Sequence, residues 1–281
     1  MNDGPSRTGP GPQDLPTGDG VVLAHRDRGT GEPLVLLHGG FLDSAMWEAQ
    51  IEAFARSHRV IAPDLRGHGG SAHHTRPFRH TDDVAALLRR LDCGPAVLVG
   101  LSLGGGVAVD TALEHPALVR AVVVSGVGTS ELDLRDPWTT GVLADVQRLM
   151  AAGDAAAGIE RFLDFAAGPY RVLADVAPEV VDALRAMAWH TLTTHMTGEP
   201  VRATPVTRTW ERLPGVTVPV LAVNGGLDSE DHLRMAGRLA AEVANSRTAT
   251  VEGTAHYPNM ERPDVFDAIL AEFLDGLPDP E

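Results

Sequence analysis

The chain has 281 residues, with 38 acidic against 23 basic side chains and a formal net charge of −15. That balance argues against nucleic acid or an anionic membrane surface as partner, and no apolar run approaches the roughly 18 residues of a membrane span. Every basic residue is an arginine, which excludes Schiff-base chemistry, a phosphate-loop lysine and a Ser-Lys dyad.

Residues 1–18 are rich in Gly, Pro and polar side chains and lack an apolar signal region, so they read as a disordered tail. Strands are expected near 21–25, 34–38, 59–62, 96–100, 119–124, 219–224 and 247–252, and helices near 46–56, 81–92, 103–114, 231–241 and 263–275. Thr81-Asp82-Asp83 puts a cap and negative charge where a helix start prefers them. Alternation of this kind predicts an α/β fold, a mostly parallel central sheet with helices on both faces. Cys93 is the only cysteine, so no internal disulfide is possible, which suits a reducing cytoplasm. It reads as a structural thiol.

Between Ser125 and Pro219 the chain changes character. Ala-rich stretches such as Leu143 to Ala157 and Val180 to Met196 read as helices, with breaks at Gly153, Gly168-Pro169, Pro178 and Gly198-Glu199-Pro200. A structureless loop of that length is out of keeping with a compact domain. The segment therefore predicts a helical cap over residues 127–213, inserted into a core made of 19–126 and 214–281. Aromatics of the cap pack it on the core or line the cleft beneath it. Trp138, Trp189 and Trp210, with Phe41 from the core, are the expected substrate contacts.

The chemistry concentrates at strand ends. Val97-Leu98-Val99-Gly100-Leu101-Ser102-Leu103-Gly104 is an apolar strand that breaks at Gly-x-Ser-x-Gly and runs at once into a helical pattern. That is the setting of a nucleophile elbow, where a serine sits on a tight strand-to-helix turn. A nucleophilic serine needs a base, an acid that orients the base, and donors for the oxyanion. Asp228 follows the strand that ends at Gly225-Gly226, and His256 lies in the loop after the last strand. Glu230 and Asp231 remain alternatives for the acid. Pro33 to Leu37 runs into His38-Gly39-Gly40, where glycine lets a backbone N–H approach a substrate oxygen. The N–H groups of Gly40 and Leu103 are the expected oxyanion donors, with Phe41 the alternative to Gly40. His38 reads as a structural imidazole that ties neighbouring loops. His68, His73, His74 and His80 are dense, but their irregular spacing matches no helix-borne ligand pair, and no metal is expected.

His38-Gly39-Gly40, Asp64-Leu65-Arg66-Gly67-His68-Gly69-Gly70-Ser71, the Ser102 elbow, Asp228 and His256 together resemble the α/β-hydrolase superfamily, from about Val21 to about Leu274 apart from the insert. Residues 40–50 and 100–105 are most similar to its small esterase and enol-lactonase branch. The resemblance implies a cofactor-independent serine hydrolase acting on a small ester or lactone, with Asp64, Arg66 and Ser71 shaping the loop after the preceding strand. Related haloalkane dehalogenases and epoxide hydrolases carry aspartate at the elbow, so Ser102 disfavours an alkyl-enzyme route. C–C bond hydrolysis or perhydrolysis on the same residues, or a hydrolase-like ligand-binding protein with little turnover, stay open. The apolar cap further predicts neutral acyl substrates.

Overall fold

The backbone alternation of a strand sorts side chains onto opposite faces, and here both faces are dry. Leu34, Leu36, Val97, Val99 and Val123 are buried on one side of the sheet, while Val35, Leu37, Leu98, Val122 and Val124 are buried on the other. Strands packed on both faces read as continuous apolar runs, as parallel strands covered by helices require. The computed structural model describes residues 13–16, 20, 22–73, 76–195 and 203–278.

Among the described residues the sheet has eight strands: β1 Gln13–Pro16, β2 Val22–Arg28, β3 Pro33–Leu37, β4 Arg59–Pro63, β5 Ala96–Leu101, β6 Val119–Ser125, β7 Val220–Gly225 and β8 Ser246–Val251. Their order is β1-β2-β4-β3-β5-β6-β7-β8. β1 and β2 pair antiparallel, as do β2 and β4, and every pair from β4 onward is parallel. The seven expected strands are all present. The tail expected over residues 1–18 is corrected at Gln13–Pro16, where β1 lies antiparallel to β2 with Gln13 opposite His25. A main-chain ladder on the open edge of β2 needs no apolar pattern, so composition carried no sign of it. The rest of that stretch lies outside the described residues.

The helices are α1 Glu48–Phe54, α2 His80–Arg90, α3 Leu103–Glu114, α4 Pro137–Ala151, α5 Ala155–Ala167, α6 Pro178–His195, α7 Thr209–Arg212, α8 Glu230–Glu242, α9 Pro258–Glu261 and α10 Pro263–Asp275. Ile51 and Phe54 of α1 and Phe266, Leu270 and Phe273 of α10 cover one face of the sheet. Leu87 and Leu88 of α2, Val107 and Ala108 of α3, and Met235 and Leu239 of α8 cover the other. Helices α4, α5 and α6 are inserted between β6 and β7 and extend the first of these cores through Val142, Leu163 and Leu184. Asp136 starts α4 by accepting from Trp138 N (3.0 Å) and Thr139 N (3.2 Å), and Asp154 starts α5 by accepting from Ala157 N (3.1 Å). Gly153 breaks the two apart at φ +79. The expected helix end at Met196 lies outside the described residues. No helix among the described residues is long and apolar enough to cross a membrane.

Candidate active site

Ser102 stands between the last residue of β5 and the first of α3, at φ 52 and ψ −115. That is a costly backbone for a residue with a Cβ, on the order of 1–3 kcal/mol, and it persists because the surroundings fix the turn. Ser102 N donates to Ser125 O (2.8 Å) across the β5–β6 pair. A Cβ on Gly100 would drive into the carbonyl of Gly104, and one on Gly104 into that of Leu37. The two glycines of the motif are thus demanded by close backbone approach.

Asp228 follows β7 and is buried, 2% exposed. His256 follows β8, and its Nδ1 lies 2.8 Å from Asp228 Oδ2. The carboxylate can only accept, so this nitrogen carries the proton and Nε2 is the basic atom. Burial, the largest influence on Asp228, raises its pKa, but His232 and His256 together outweigh it and hold the carboxyl well below its usual range. Burial lowers the pKa of His256, Asp228 pulls it up, and His232 lowers it further. Gly126 (φ +81) abuts the same ring, since a Cβ there would sit against Cε1 and Nδ1 of His256. The alternative acids are elsewhere. Glu230 is exposed, and Asp231 accepts from Arg135 N and Asp136 N (2.8 Å each), anchoring the start of the insert.

His232 is a residue the sequence reading missed. It lies one helical turn beyond Asp228, its Nδ1 is 2.8 Å from Asp228 Oδ1, and its ring stacks on His256 with centroids 4.2 Å apart at 24°. The donor atoms of Asp228, His232 and His256 all lie within 4.8 Å of one another, a spacing compatible with a metal ion. Both carboxylate oxygens are already engaged by imidazole N–H, so the cluster is satisfied as a hydrogen-bonded unit.

A cavity of about 240 Å3 connects these groups; Ser102, His232, His256, Gly40, Phe41 and Leu103 all line it. Leu103 opens α3 and lines the cavity, so the N-terminus of α3 borders it, the end of a helix that favours negative charge. Phe41, at φ 62, packs edge-on against Phe162 of α5 (4.9 Å), which meets Phe165 (5.9 Å). Phe165 in turn packs on both imidazoles, at 5.7 Å from His232 and 5.6 Å from His256. With Leu143 of α4, these side chains make the insert one wall of the cavity. Among the described residues, no arginine lines it.

Of the expected substrate contacts, Phe41 lines the cavity and the three tryptophans do not. Trp138 sits a layer behind, edge-on to Phe165 at 5.5 Å. Trp189 is 49% exposed, because Leu184, Met187, Ala188 and Leu192 form the inward face of α6 and residue 189 falls outside it. Trp210 braces the core side, with its Nε1 donating to Glu131 O (2.7 Å) and Arg238 over its ring at 4.2 Å. Large aromatic area finds burial against many partners, and position in the chain does not say which.

The supporting loops behave as structural parts. His38 Nε2 accepts from Leu65 N and its Nδ1 meets Gly39 O, both at 2.8 Å. Asp64 accepts from Ser44 N and Gly70 N (2.8 Å each), Ser71 Oγ donates to Asp64 O (2.5 Å), and Arg66 pairs with Asp83. Cys93 is buried, and burial pushes its thiol up to about 11.

The model of the alpha/beta hydrolase family matches residues 34–269. A 2-(acetamidomethylene)succinate hydrolase of Mesorhizobium japonicum is 29% identical over 91% of this chain and 92% of its own length. A pimeloyl-[acyl-carrier protein] methyl ester esterase of Aeromonas hydrophila is 31% identical over 88% of this chain and 96% of its own. Among solved structures, Est816, described as an N-acyl homoserine lactone degrading enzyme, superposes with a TM-score of 0.74 at 25% identity, covering 94% of this chain and all of its own. Esterases and an enol-lactonase share the fold as well. With motif, sheet order and relatives in agreement, the chain belongs to the alpha/beta hydrolase family.

Proposed function

We propose that the chain is a serine hydrolase that cleaves a carboxylic ester or lactone bond of a small, mainly apolar molecule through an acyl-enzyme. The observation that carries this is the His256 imidazole, held through Nδ1 by a buried carboxylate, in one apolar cavity with a serine on a strained elbow. Ser102 Oγ attacks the carbonyl as His256 Nε2 takes its proton. Asp228 fixes the tautomer and stabilises the imidazolium. The N–H groups of Gly40 and Leu103 receive the oxyanion. His256 then returns its proton to the leaving alcohol, and water activated by the same nitrogen releases the acid. The inserted helices, within residues 127–213, act as a cap that selects the acyl or alcohol part.

Ser102→Ala is expected to lower kcat on an activated aryl ester by about 10⁶-fold. Asp228→Asn is expected to lose about 10⁴-fold through the wrong tautomer. Near-native turnover in the Ser102 variant would end the proposal, and less than tenfold loss in the Asp228 variant would remove that residue from the acid role.

A further inference from the structure

Asp228 has more donors than one histidine needs. Ser229 N donates to Oδ1 (2.7 Å), His232 Nδ1 shares that oxygen (2.8 Å), and His256 holds Oδ2. The geometry follows from the start of α8: Ser229 is the N-cap, accepting from His232 N, so Asp228 and His232 fall on one side of the first turn. A ring that only filled space would not need a nitrogen on a buried carboxylate. His232 also lines the cavity. Because both rings bind the carboxylate through Nδ1 and stack nearly parallel, both Nε2 atoms lie on the side of the rings away from it.

We propose that His232 is a positioning residue: it takes the second oxygen of Asp228 and stacks on His256, so that two imidazoles and one carboxylate handle a single proton as a unit. This rests on the reading of Ser102, Asp228 and His256 as the reacting group. The carboxylate charge that would favour a His256 imidazolium is divided between two N–H donors, and a second proton on rings 4.2 Å apart is opposed by like-charge repulsion. His256 accordingly stays a free base to lower pH than it would beside Asp228 alone. Other titratable groups around the pair are Tyr257, whose ring is 5.2 Å from His256, and Asp231 on the same turn as His232, itself engaged by Arg234. Among the described residues, Phe165 of α5 packs on both rings, and the backbone of Gly126, just past β6, lies against His256.

The test is the pH profile of kcat/KM together with an NMR titration of the imidazoles. Activity needs neutral His256, so it falls as pH drops through the His256 pKa. His232→Phe keeps a ring but removes the donor and is expected to move that acid limb up by about 0.5–1 pH unit, with kcat down about tenfold. His232→Asn restores a donor beside Asp228 and is expected to recover kcat to within about threefold. A His232→Phe profile superimposed on the wild type, with Ser102→Ala inactive, would reduce His232 to packing. Retained activity in Ser102→Ala would instead strike the reading beneath. In the unmodified chain, protonation of His256 should perturb the resonances of the stacked His232 ring over the same pH range. Two independent single-site curves would overturn the coupling whatever the variants do.

Discussion

Asp110 of α3 lies behind the cavity wall, 1% exposed, and its Oδ2 accepts from Ser130 Oγ while Oδ1 has no hydrogen-bond partner among the described residues. Burial pushes its pKa from 3.8 up to about 6, against the opposing pull of the Ser130 hydroxyl. The folded state therefore binds the proton more tightly than the unfolded state, and this group's contribution to stability falls as pH rises from about 4 to 6 and then levels. Asp110→Asn keeps an acceptor for Ser130 and removes the buried charge. Its stability advantage over the wild type is expected to grow across that window by as much as roughly 3 kcal/mol, read from denaturant melts at pH 4, 6 and 8. Parallel curves for the two proteins would sink the assignment. At this scale the sequence was unevenly legible. Ser102, Asp228 and His256 each follow a strand end, so local pattern was enough to single out residues of which Ser102 and His256 line one cavity and Asp228 holds His256 from behind it. His232 was not visible, because an i to i+4 contact with Asp228 and a stack on a loop 24 residues away exist only after β7, α8 and β8 are assembled. Trp189 and Trp210 misled for the complementary reason: size marks a side chain for burial or contact without giving a direction.

The inserted helices are fastened to the core by one arginine more than by any other described side chain. Arg171 donates to the carbonyls of Ala166 (2.9 Å) and Ala167 (3.1 Å) at the end of α5, to Gly253 O (3.0 Å) in the loop that leads to His256, and to Glu261 of α9 (2.7 Å). Glu261 completes the link by accepting from Ala255 N (2.9 Å), next to His256. The pair is largely buried, at 15% and 8% side-chain exposure, so removing one partner strands the other. Arg171→Met is expected to cost about 3 kcal/mol and to lower kcat more than it raises KM, because the strain falls on the His256 loop rather than on the cavity wall. Thermal melts and steady-state kinetics on the same preparation check both parts. A variant with unchanged stability would show that the clamp is redundant. Of the described ion-paired arginines of the insert, Arg171 is the least exposed, at 15% against 31% for Arg161. Elements themselves were easier to read than their joints. Most of the seven expected strands are apolar runs that meet Gly, Pro or Asp, whereas β8 is a polar, threonine-containing edge strand, and α3 formed as read because the Ser102 turn precedes it and His115-Pro116 closes it. β1 was unreadable, since edge pairing through the main chain leaves no mark on side-chain pattern.

The whole molecule combines a net charge of −15 with a cavity beside Ser102 that no described arginine lines. Most described arginines of the insert are spent on acids of their own surface: Arg161 on Asp145 and Asp164, Arg185 on Glu160 and Asp182, Arg208 on Glu211. An anionic substrate would therefore approach against the field of the surface. Once inside, its carboxylate would be desolvated among Phe41, Leu143, Phe162 and Phe165 with no described arginine to meet it. The second effect is the larger and does not depend on salt, because it arises in a cavity shielded from ions; the first weakens once the Debye length shortens. A neutral ester or lactone is thus expected to exceed its carboxylate-bearing analogue in kcat/KM by at least about tenfold. Raising ionic strength from about 0.01 M to about 0.15 M should narrow that ratio without closing it. Measuring both substrates at both salts separates the two contributions. A ratio that collapses to unity in salt would place the discrimination at the surface, and a preference for the anion would require a cationic contact that the cavity wall lacks.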